Sequence, residues 1–404
     1  MRLLYLIHEP WPTYHPDLSA LFGKYLLRLG VETTFVTERN KDPDKSNTGR
    51  SPQVGPAILC SVPSNPVLHN LVKFWHNIHI LLKCSPDNYD AIQVRDMPVT
   101  GLAALVAARL KGLPYFYWMS YPQSEGQLFR AKARGPAAGL QYWYPLLQGT
   151  LGKWLLYKFV LPRADHVFVQ SRKMAEDVAV HSVALQQMTP VPMGVDLDLA
   201  RPEEIQPIQD ERLTGKRVVA YLGTLDPARH IDVLFQMAAL VRREIPDLKL
   251  VLIGDTHQAK HRAWLKAEAR RIGVDDVVLW TSWLPMSEAW RYVRAAEVGL
   301  SPIPRSFLLD AASPTKAVEY MALGLPVLAN DNPDQEQAIT ESGAGICVPL
   351  TPQDFAGALL GLLRDPVLRR EMGERGRRYV ASVRSYDRLA EAVFYSYRQL
   401  LKPA

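Results

Sequence analysis

The sequence predicts two consecutive α/β domains, each a doubly wound, Rossmann-like parallel sheet. Three observations predict it. Short apolar, β-rich runs alternate with helix-length amphipathic stretches from end to end, which is the pattern of βαβ units. That pattern starts afresh near Arg217 after a polar, proline-bearing stretch. A chain of 404 residues also exceeds one comfortable core and suits two domains of roughly 200 residues each.

In the first half the expected strands are Arg2 to Ile7, Val31 to Thr37, Ala57 to Val62, Ala91 to Val94, Tyr115 to Trp118 and His166 to Val169. Between the first two, Leu18, Leu21, Phe22, Tyr25, Leu26 and Leu29 form an i, i+3, i+4 stripe that Gly30 closes, so a helix is predicted there. In the second half the expected strands are Arg217 to Leu222, Lys249 to Ile253, Val277 to Thr281, Val298 to Pro302, Pro326 to Asn330 and Gly345 to Val348. The stretch Asp196 to Gly215, with Pro202 and Pro207, reads as a linker. The expected domains are therefore 1–195 and 196–404, with the last helix, about 384–404, packing back on the first. Ligands of open α/β sheets sit beyond the carboxyl ends of the strands. Two such domains facing each other make a cleft walled by strand-to-helix loops.

Composition excludes several function classes. The hydrophobic fraction of 48% and the charged fraction of 22% are ordinary globular values. The apolar run after Met1-Arg2 is too short for a secretory segment, and other apolar stretches are interrupted before they could cross a bilayer. The three cysteines, Cys60, Cys84 and Cys347, are widely spaced and support neither a disulfide framework nor a zinc ribbon. A cytoplasmic location follows as the expectation. The net charge of +6 is unevenly placed: from Gly126 to Ala164 there is no Asp or Glu, while Arg130, Lys132, Arg134, Lys153, Lys158 and Arg163 are present. Phe129, Tyr142, Trp143, Tyr144, Trp154, Tyr157 and Phe159 lie among them. Aromatics with Lys and Arg on an amphipathic helix suit a membrane surface; the bland reading is a buried helix over Leu151 to Leu161. No nucleic-acid module accompanies the segment, and no nucleic acid is expected as partner.

The most informative stretch runs from Ser313 to Ala329. Ser313 reads as an N-cap, Pro314 as the first helical residue, and Gly324 with Pro326 closes the helix and launches a strand. Free backbone N–H groups and the helix dipole make such a start an anion site. Lys316 in the first turn opposes the dipole unless an anion is present. Glu319, three residues on, shares its face and can accept both vicinal hydroxyls of a ribose. The plainer reading is a capped surface helix with a Lys–Glu pair. Strand Val218 to Leu222 runs into Gly223-Thr224-Leu225-Asp226-Pro227-Ala228-Arg229, a small loop that admits a ligand to the backbone and carries a guanidinium able to fork onto phosphate. Together these supply two cations and a helix terminus, enough to neutralise a departing nucleoside diphosphate without metal.

Gly223 to Asp232 (Gly-Thr-Leu-Asp-Pro-Ala-Arg-His-Ile-Asp), Leu250 to Asp255, Ser313 to Val327 with its Ser-Pro-Thr-Lys and Glu-Tyr-Met-Ala, and Glu341 to Gly345 resemble retaining glycosyltransferases of family 4, of GT-B fold. Pro192 to Asp196 and Arg163 to Asp165 are similar to that family's domain-closing segments. The resemblance implies a nucleoside diphosphate sugar as donor, a glycan or lipid-linked acceptor, retention of configuration, and no metal or other cofactor. It puts Arg229 where the family has a phosphate-binding lysine, Glu319 where it has the ribose-holding carboxylate, and Lys316 near the diphosphate. Gly223, Thr224, Gly254, Asp255, Ala312, Ser313, Pro314 and Thr315 fall at donor-binding positions. Thr224 departs from the arginine usual after the glycine. Ala311 departs from a carboxylate eight residues before Glu319. The donor-hexose contact then falls to Asp310 through a shifted loop, or to backbone N–H groups of Ala311 to Ser313. Alternatives of other classes are a sugar-nucleotide epimerase or phosphorylase on the same fold, and a catalytically silent scaffold.

Acceptor candidates lie just after strands of the first half: His8, Glu9, Tyr14, His15, Arg95, Asp96, Ser120 and Tyr121. Asp196 and Asp198, as a metal-binding pair, are weighed against an interdomain turn. His69, His76 and His79 near one helical face are weighed against packing roles, since a metal needs a further ligand.

Overall fold

The structure, a computed structural model, describes residues 1–13, 15–40 and 55–401. The chain divides into two compact units, one running to Pro192 and completed by the segment from Leu389, the other Met193–Arg388.

The first unit is built on seven strands: β1 (Arg2–Leu6), β2 (Glu32–Glu38), β3 (Ala57–Cys60), β4 (Ala91–Arg95), β5 (Tyr115–Met119), β6 (His166–Val169) and β7 (Met188–Pro190). Their order in the sheet is β3-β2-β1-β4-β5-β6-β7, and every neighbouring pair is parallel. The chain reverses its winding between β1 and β4, so the loops after those two strands border the crevice that such a sheet offers a ligand. The one strand that the alternation did not predict is β7, three residues long and ending in Pro190, too short to show a period. The helix predicted after β1 runs from Asp17 to Leu26 as a π-helix, burying Leu18, Leu21, Phe22, Tyr25 and Leu26. Four further helices matter below: α1 (Pro66–Lys83), α2 (Pro98–Lys111), α3 (Gln123–Arg134) and α4 (Leu140–Leu155).

A chain of rings runs through this core. Tyr5 meets Phe22 at 4.8 Å, Phe22 meets Trp118 at 5.1 Å, Trp118 meets Phe168 at 5.2 Å, and Phe168 meets Tyr397 at 5.2 Å between centroids. Tyr397 belongs to the helix Tyr386–Leu400, and its buried hydroxyl donates to Gln93 Oε1 at 2.7 Å. Tyr397→Phe strands that acceptor. The expected loss is about 1–3 kcal/mol, read as a lowered midpoint in urea denaturation.

The second unit holds β8 (Arg217–Leu222), β9 (Leu248–Ile253), β10 (Val278–Trp280), β11 (Val298–Ser301), β12 (Val327–Ala329) and β13 (Gly345–Cys347). Their order is β10-β9-β8-β11-β12-β13, again all parallel. Apolar clusters cover both faces, one around Leu234, Phe235 and Leu359, the other around Val318, Met321 and Val293. The winding reverses between β8 and β11, which places a ligand crevice beyond Leu222 and Ser301.

The stretch Asp196 to Gly215, read as a linker, follows directly on the boundary between the units. It lies within the second unit, tied to the helix Met286–Arg294: Ile208 N–H donates to Arg291 O at 3.0 Å, Arg291 Nε to Gln206 O at 3.2 Å, and Tyr292 OH to Asp210 Oδ2 at 3.1 Å. Asp196 accepts the Asp198 N–H at 3.0 Å, a local turn. His69 Nε2 is paired with Glu38 at 2.7 Å, and among the described residues no group of three or more His, Cys, Asp or Glu could hold a metal ion. No described helix is long and apolar enough to cross a membrane.

Candidate functional site

The site of the second unit starts from two glycines. Gly223 follows β8 at φ 144° and Gly254 follows β9 at φ 134°, a region that L side chains avoid. A Cβ on Gly254 would stand 2.1 Å from Gly223 O. The two loops are laced together: Gly223 N–H donates to Ile253 O at 2.9 Å, Leu225 N–H to Asp255 O at 2.9 Å, and Thr256 Oγ1 to Asp226 Oδ1 at 3.0 Å. Asp255 faces this lacing. Its carboxylate accepts from Arg262 Nε at 2.6 Å and from Thr256 N–H at 2.7 Å, so it braces the loop. Thr224 gives its carbonyl to the Tyr221 hydroxyl at 2.9 Å. A single turn, Pro227–Arg229, then presents Arg229, half-buried.

The opposing element is the helix Thr315–Ala322, whose N-cap is Pro314 without a side-chain capping bond. Ser313 is therefore not the cap, and the reason is visible. Its hydroxyl donates to Asp334 at 2.6 Å and accepts the Met193 N–H at 2.8 Å. Asp334 is held in turn by Arg384 at 2.6 Å, both buried. Ser313→Ala breaks this bridge, and a loss of about 1–3 kcal/mol in the stability of the chain is expected from chemical denaturation.

Lys316 and Glu319 are both buried. The Lys316 ammonium lies 3.4 Å from the Tyr221 hydroxyl, 4.7 Å from the centre of its ring, and beside Gly223. Burial pushes the Lys316 pKa well below the usual lysine range, the charge of Arg229 pushes it further, and Glu319 opposes both. Arg229 and Glu319 are thus each near enough to act on the charge of Lys316. Next to Glu319, Tyr320 closes the gap between the two strands at the reversal: its hydroxyl accepts from Leu222 N–H at 2.7 Å and donates to Leu300 O at 3.2 Å. Sequence reasoning singled out neither Tyr221, two residues before Gly223, nor Tyr320, next to Glu319, as a site residue.

Asp310 is elsewhere engaged. Arg305 holds its carboxylate in a fork, Nε at 2.9 Å and Nη2 at 3.1 Å, and also reaches Asp331 at 2.9 Å. The amides of Ala311 and Ala312 donate to Phe307 O and Leu309 O.

In the first unit the acceptor candidates divide. Arg95 is fully buried, 2.6 Å from Asp17 and 2.8 Å from Glu9, and His15 is 2.8 Å from Asp17. These three candidates knit the loop after β1 to β4, with Arg95 and Glu9 buried and His15 exposed. Asp17 was not singled out in the sequence because its partner is 78 positions away. Burial pushes its carboxyl up, but Arg95 and His15 outweigh that and hold it well below the usual range. Asp96, at φ 51°, accepts from the Ser120 N–H at 2.9 Å, the Tyr121 N–H at 3.3 Å and the Ser120 hydroxyl; burial raises its pKa against the pull of Arg95. His8 and Asp96 face one pocket. Tyr14 lies outside the described residues.

Residues 203–379 match the family model described as glycosyl transferases group 1, and residues 21–194 match that of the glycosyl transferase 4-like domain. A D-inositol 3-phosphate glycosyltransferase of Segniliparus rotundus is 28% identical over 222 residues, 54% of this chain and 48% of that protein. An MMP alpha-(1->4)-mannosyltransferase of Mycolicibacterium hassiacum is 25% identical over 312 residues, 76% of this chain and 70% of that protein. The chain spans about half the length of the first curated relatives it matches. Among solved structures, Anabaena Alr3699/HepE in complex with UDP superposes with a TM-score of 0.70 at 13% identity, covering 99% of this chain and 100% of that one. WaaG, a glycosyltransferase involved in lipopolysaccharide biosynthesis, superposes with a TM-score of 0.67 at 16% identity, covering 97% and 99%. Residues 21–194 are thus similar to the glycosyl transferase 4-like domain and residues 203–379 to the glycosyl transferases of group 1, and the fold of the chain is that of these structures, GT-B.

Proposed function

We propose that this protein moves a hexosyl unit from a nucleoside diphosphate sugar to a hydroxyl of a glycan or lipid-linked acceptor, with retention of configuration and without metal. The observation that carries the reading is the buried Lys316 ammonium beside Gly223 at the reversal point of the second sheet, within reach of the charges of Arg229 and Glu319. In this reading the diphosphate meets the amides that open the helix Thr315–Ala322, the Lys316 ammonium and the Arg229 guanidinium. As the bond from the sugar's anomeric carbon to the phosphate oxygen breaks, its electron pair leaves with the diphosphate and these groups take up the charge. The acceptor oxygen forms the new bond to that carbon, and its proton passes to a donor phosphate oxygen. Glu319 accepts hydrogen bonds from the ribose hydroxyls. The names of similar proteins support this donor and acceptor class: one solved structure holds UDP-glucose, and one relative is described as a GDP-mannose-dependent phosphatidylinositol monomannoside mannosyltransferase. Work at the inner face of the cytoplasmic membrane, through 126–164, belongs to the same proposal.

Thermal denaturation in the presence of UDP, GDP and ADP sugars tests it, because a ligand of the native state raises the apparent midpoint by mass action. One base is expected to shift the midpoint. Glu319→Ala and Arg229→Ala are each expected to weaken that nucleotide by about 1–3 kcal/mol. No shift with any base, or unchanged affinity in both variants, removes the site.

A further inference from the structure

The helix α1 carries apolar residues on its exposed face as well as its buried one, and buries polar side chains between them. Lys73, Asn77, Leu81 and Cys84, on one face, are buried, whereas Leu68, Leu71, Trp75 and Leu82, on the opposite face, are exposed, Trp75 at 64% and Leu82 at 72%. On α4 apolar residues are exposed too. Leu140, Trp143, Tyr144, Leu147, Leu151 and Trp154 make one stripe at helical spacing, exposed from 39% to 84%. The opposite side of α4 is buried at Pro145, Gly149 and Gly152, and beyond the stripe Leu156, Tyr157, Val160 and Leu161 are buried while Lys158 is exposed, so the bland reading of Leu151 to Leu161 holds mainly for its later part. Asn70 Nδ2 donates to Tyr144 OH at 3.0 Å and joins the two helices. The run of sequence that carries the stripe holds Arg130, Lys132, Arg134, Lys153 and Lys158 and no carboxylate of its own, although Lys153 lies 3.5 Å from Glu125 just before it.

Between these helices and the start of α2 lies a pocket of about 560 Å³ within the first unit. Its lining joins exposed apolar side chains, Val67, Leu71, Val99 and Tyr144, to buried polar ones, Lys73, Asn77, Asp96, Thr100 and Ser124. Asn77 is fully buried, and neither its Oδ1 nor its Nδ2 has a partner. An unpaired buried amide costs about 1–3 kcal/mol, a cost that a hydroxyl-bearing ligand would remove.

We propose that the exposed faces of α1 and α4 lie on an anionic bilayer, and that the pocket between them receives the hydroxylated head group of a membrane lipid, whose apolar chains run out over Leu71 and Val67. The charge of the surrounding segment is complementary to such a surface, and Trp and Leu stripes with flanking Lys and Arg suit its interfacial layer. This inference rests on the transfer reading and names the acceptor of that reaction as a sugar- or polyol-headed lipid.

Flotation of the full chain with phosphatidylcholine–phosphatidylglycerol vesicles tests it. The vesicles carry either diacylglycerol or monohexosyl diacylglycerol at equal anionic charge. Wild type is expected to float with both and to bind the hexosyl vesicles more tightly. Leu71→Ser with Trp75→Ser, at exposed positions, is expected to lower binding to both by about tenfold or more. Asn77→Leu, checked against Asn77→Ala, is expected to remove only the preference for the hexosyl lipid. Nucleotide affinity stays unchanged in every variant, so loss of nucleotide binding in wild type would sink the transfer reading and not this surface. Wild-type flotation by the α1 double variant, a hexosyl preference that survives Asn77→Leu, or a chain that self-associates and leaves vesicles alone overturns the inference.

Discussion

Lys316→Met is expected to weaken nucleoside diphosphate binding by about 2–5 kcal/mol, the range for removing one member of a desolvated charge pair, while leaving the ligand-free chain as stable as before or slightly more so. The second half of that expectation follows from burial. Without an anion, the Lys316 ammonium is disfavoured by desolvation and by Arg229, against the opposing pull of Glu319, and methionine fills nearly the same volume without a charge. A bound diphosphate reverses the balance, because the anion favours the protonated amine. Between the depressed pKa of the free protein and the restored one of the complex, binding takes up a proton. Affinity therefore falls as pH rises through that window, and calorimetric enthalpies differ between buffers of different ionisation heat. In Lys316→Met both the slope and the buffer dependence vanish. A variant that keeps wild-type affinity and proton uptake would remove Lys316 from the diphosphate.

Gly254→Ala is expected to cost about 2–5 kcal/mol through overpacking and a backbone conformation closed to L side chains. The new methyl would stand 2.1 Å from Gly223 O, backbone against backbone, so neither loop can yield without breaking the lacing that carries Arg229. Urea denaturation reads the stability loss, and nucleotide titration reads an accompanying loss of affinity. Gly361→Ala is the control. It sits inside the helix Pro352–Arg364 with open space where its Cβ would be, and a gain of about 0.5–1 kcal/mol is expected there. Equal effects at the two glycines would contradict the packing account.

Local signals were legible in the sequence and distant partners were not. Alternating apolar runs located twelve of the thirteen strands among the described residues within one or two residues at each end, because a buried parallel strand announces itself by composition. The Lys316–Glu319 spacing likewise foretold a shared helix face. By contrast Ser313 looked like a cap by local rule, yet Asp334 and Met193, from other segments, claim its hydroxyl. Proline and charge made Asp196 to Gly215 look like a tether, whereas contacts with the helix Met286–Arg294 bind it. Arg95 looked like a pocket residue because it ends a strand, and only the fold reveals Asp17 beside it. Asn77 gave no signal at all: an amide in an apolar helix is noticed when the structure shows it buried and unmet.

The most direct measurement is a structure determined with the nucleoside diphosphate that raises thermal stability. The account places the diphosphate on the first-turn amides of the helix Thr315–Ala322, with Lys316 and Arg229 bonded to it and Glu319 to the ribose. A nucleotide lodged away from Gly223, with that helix start untouched, would contradict it.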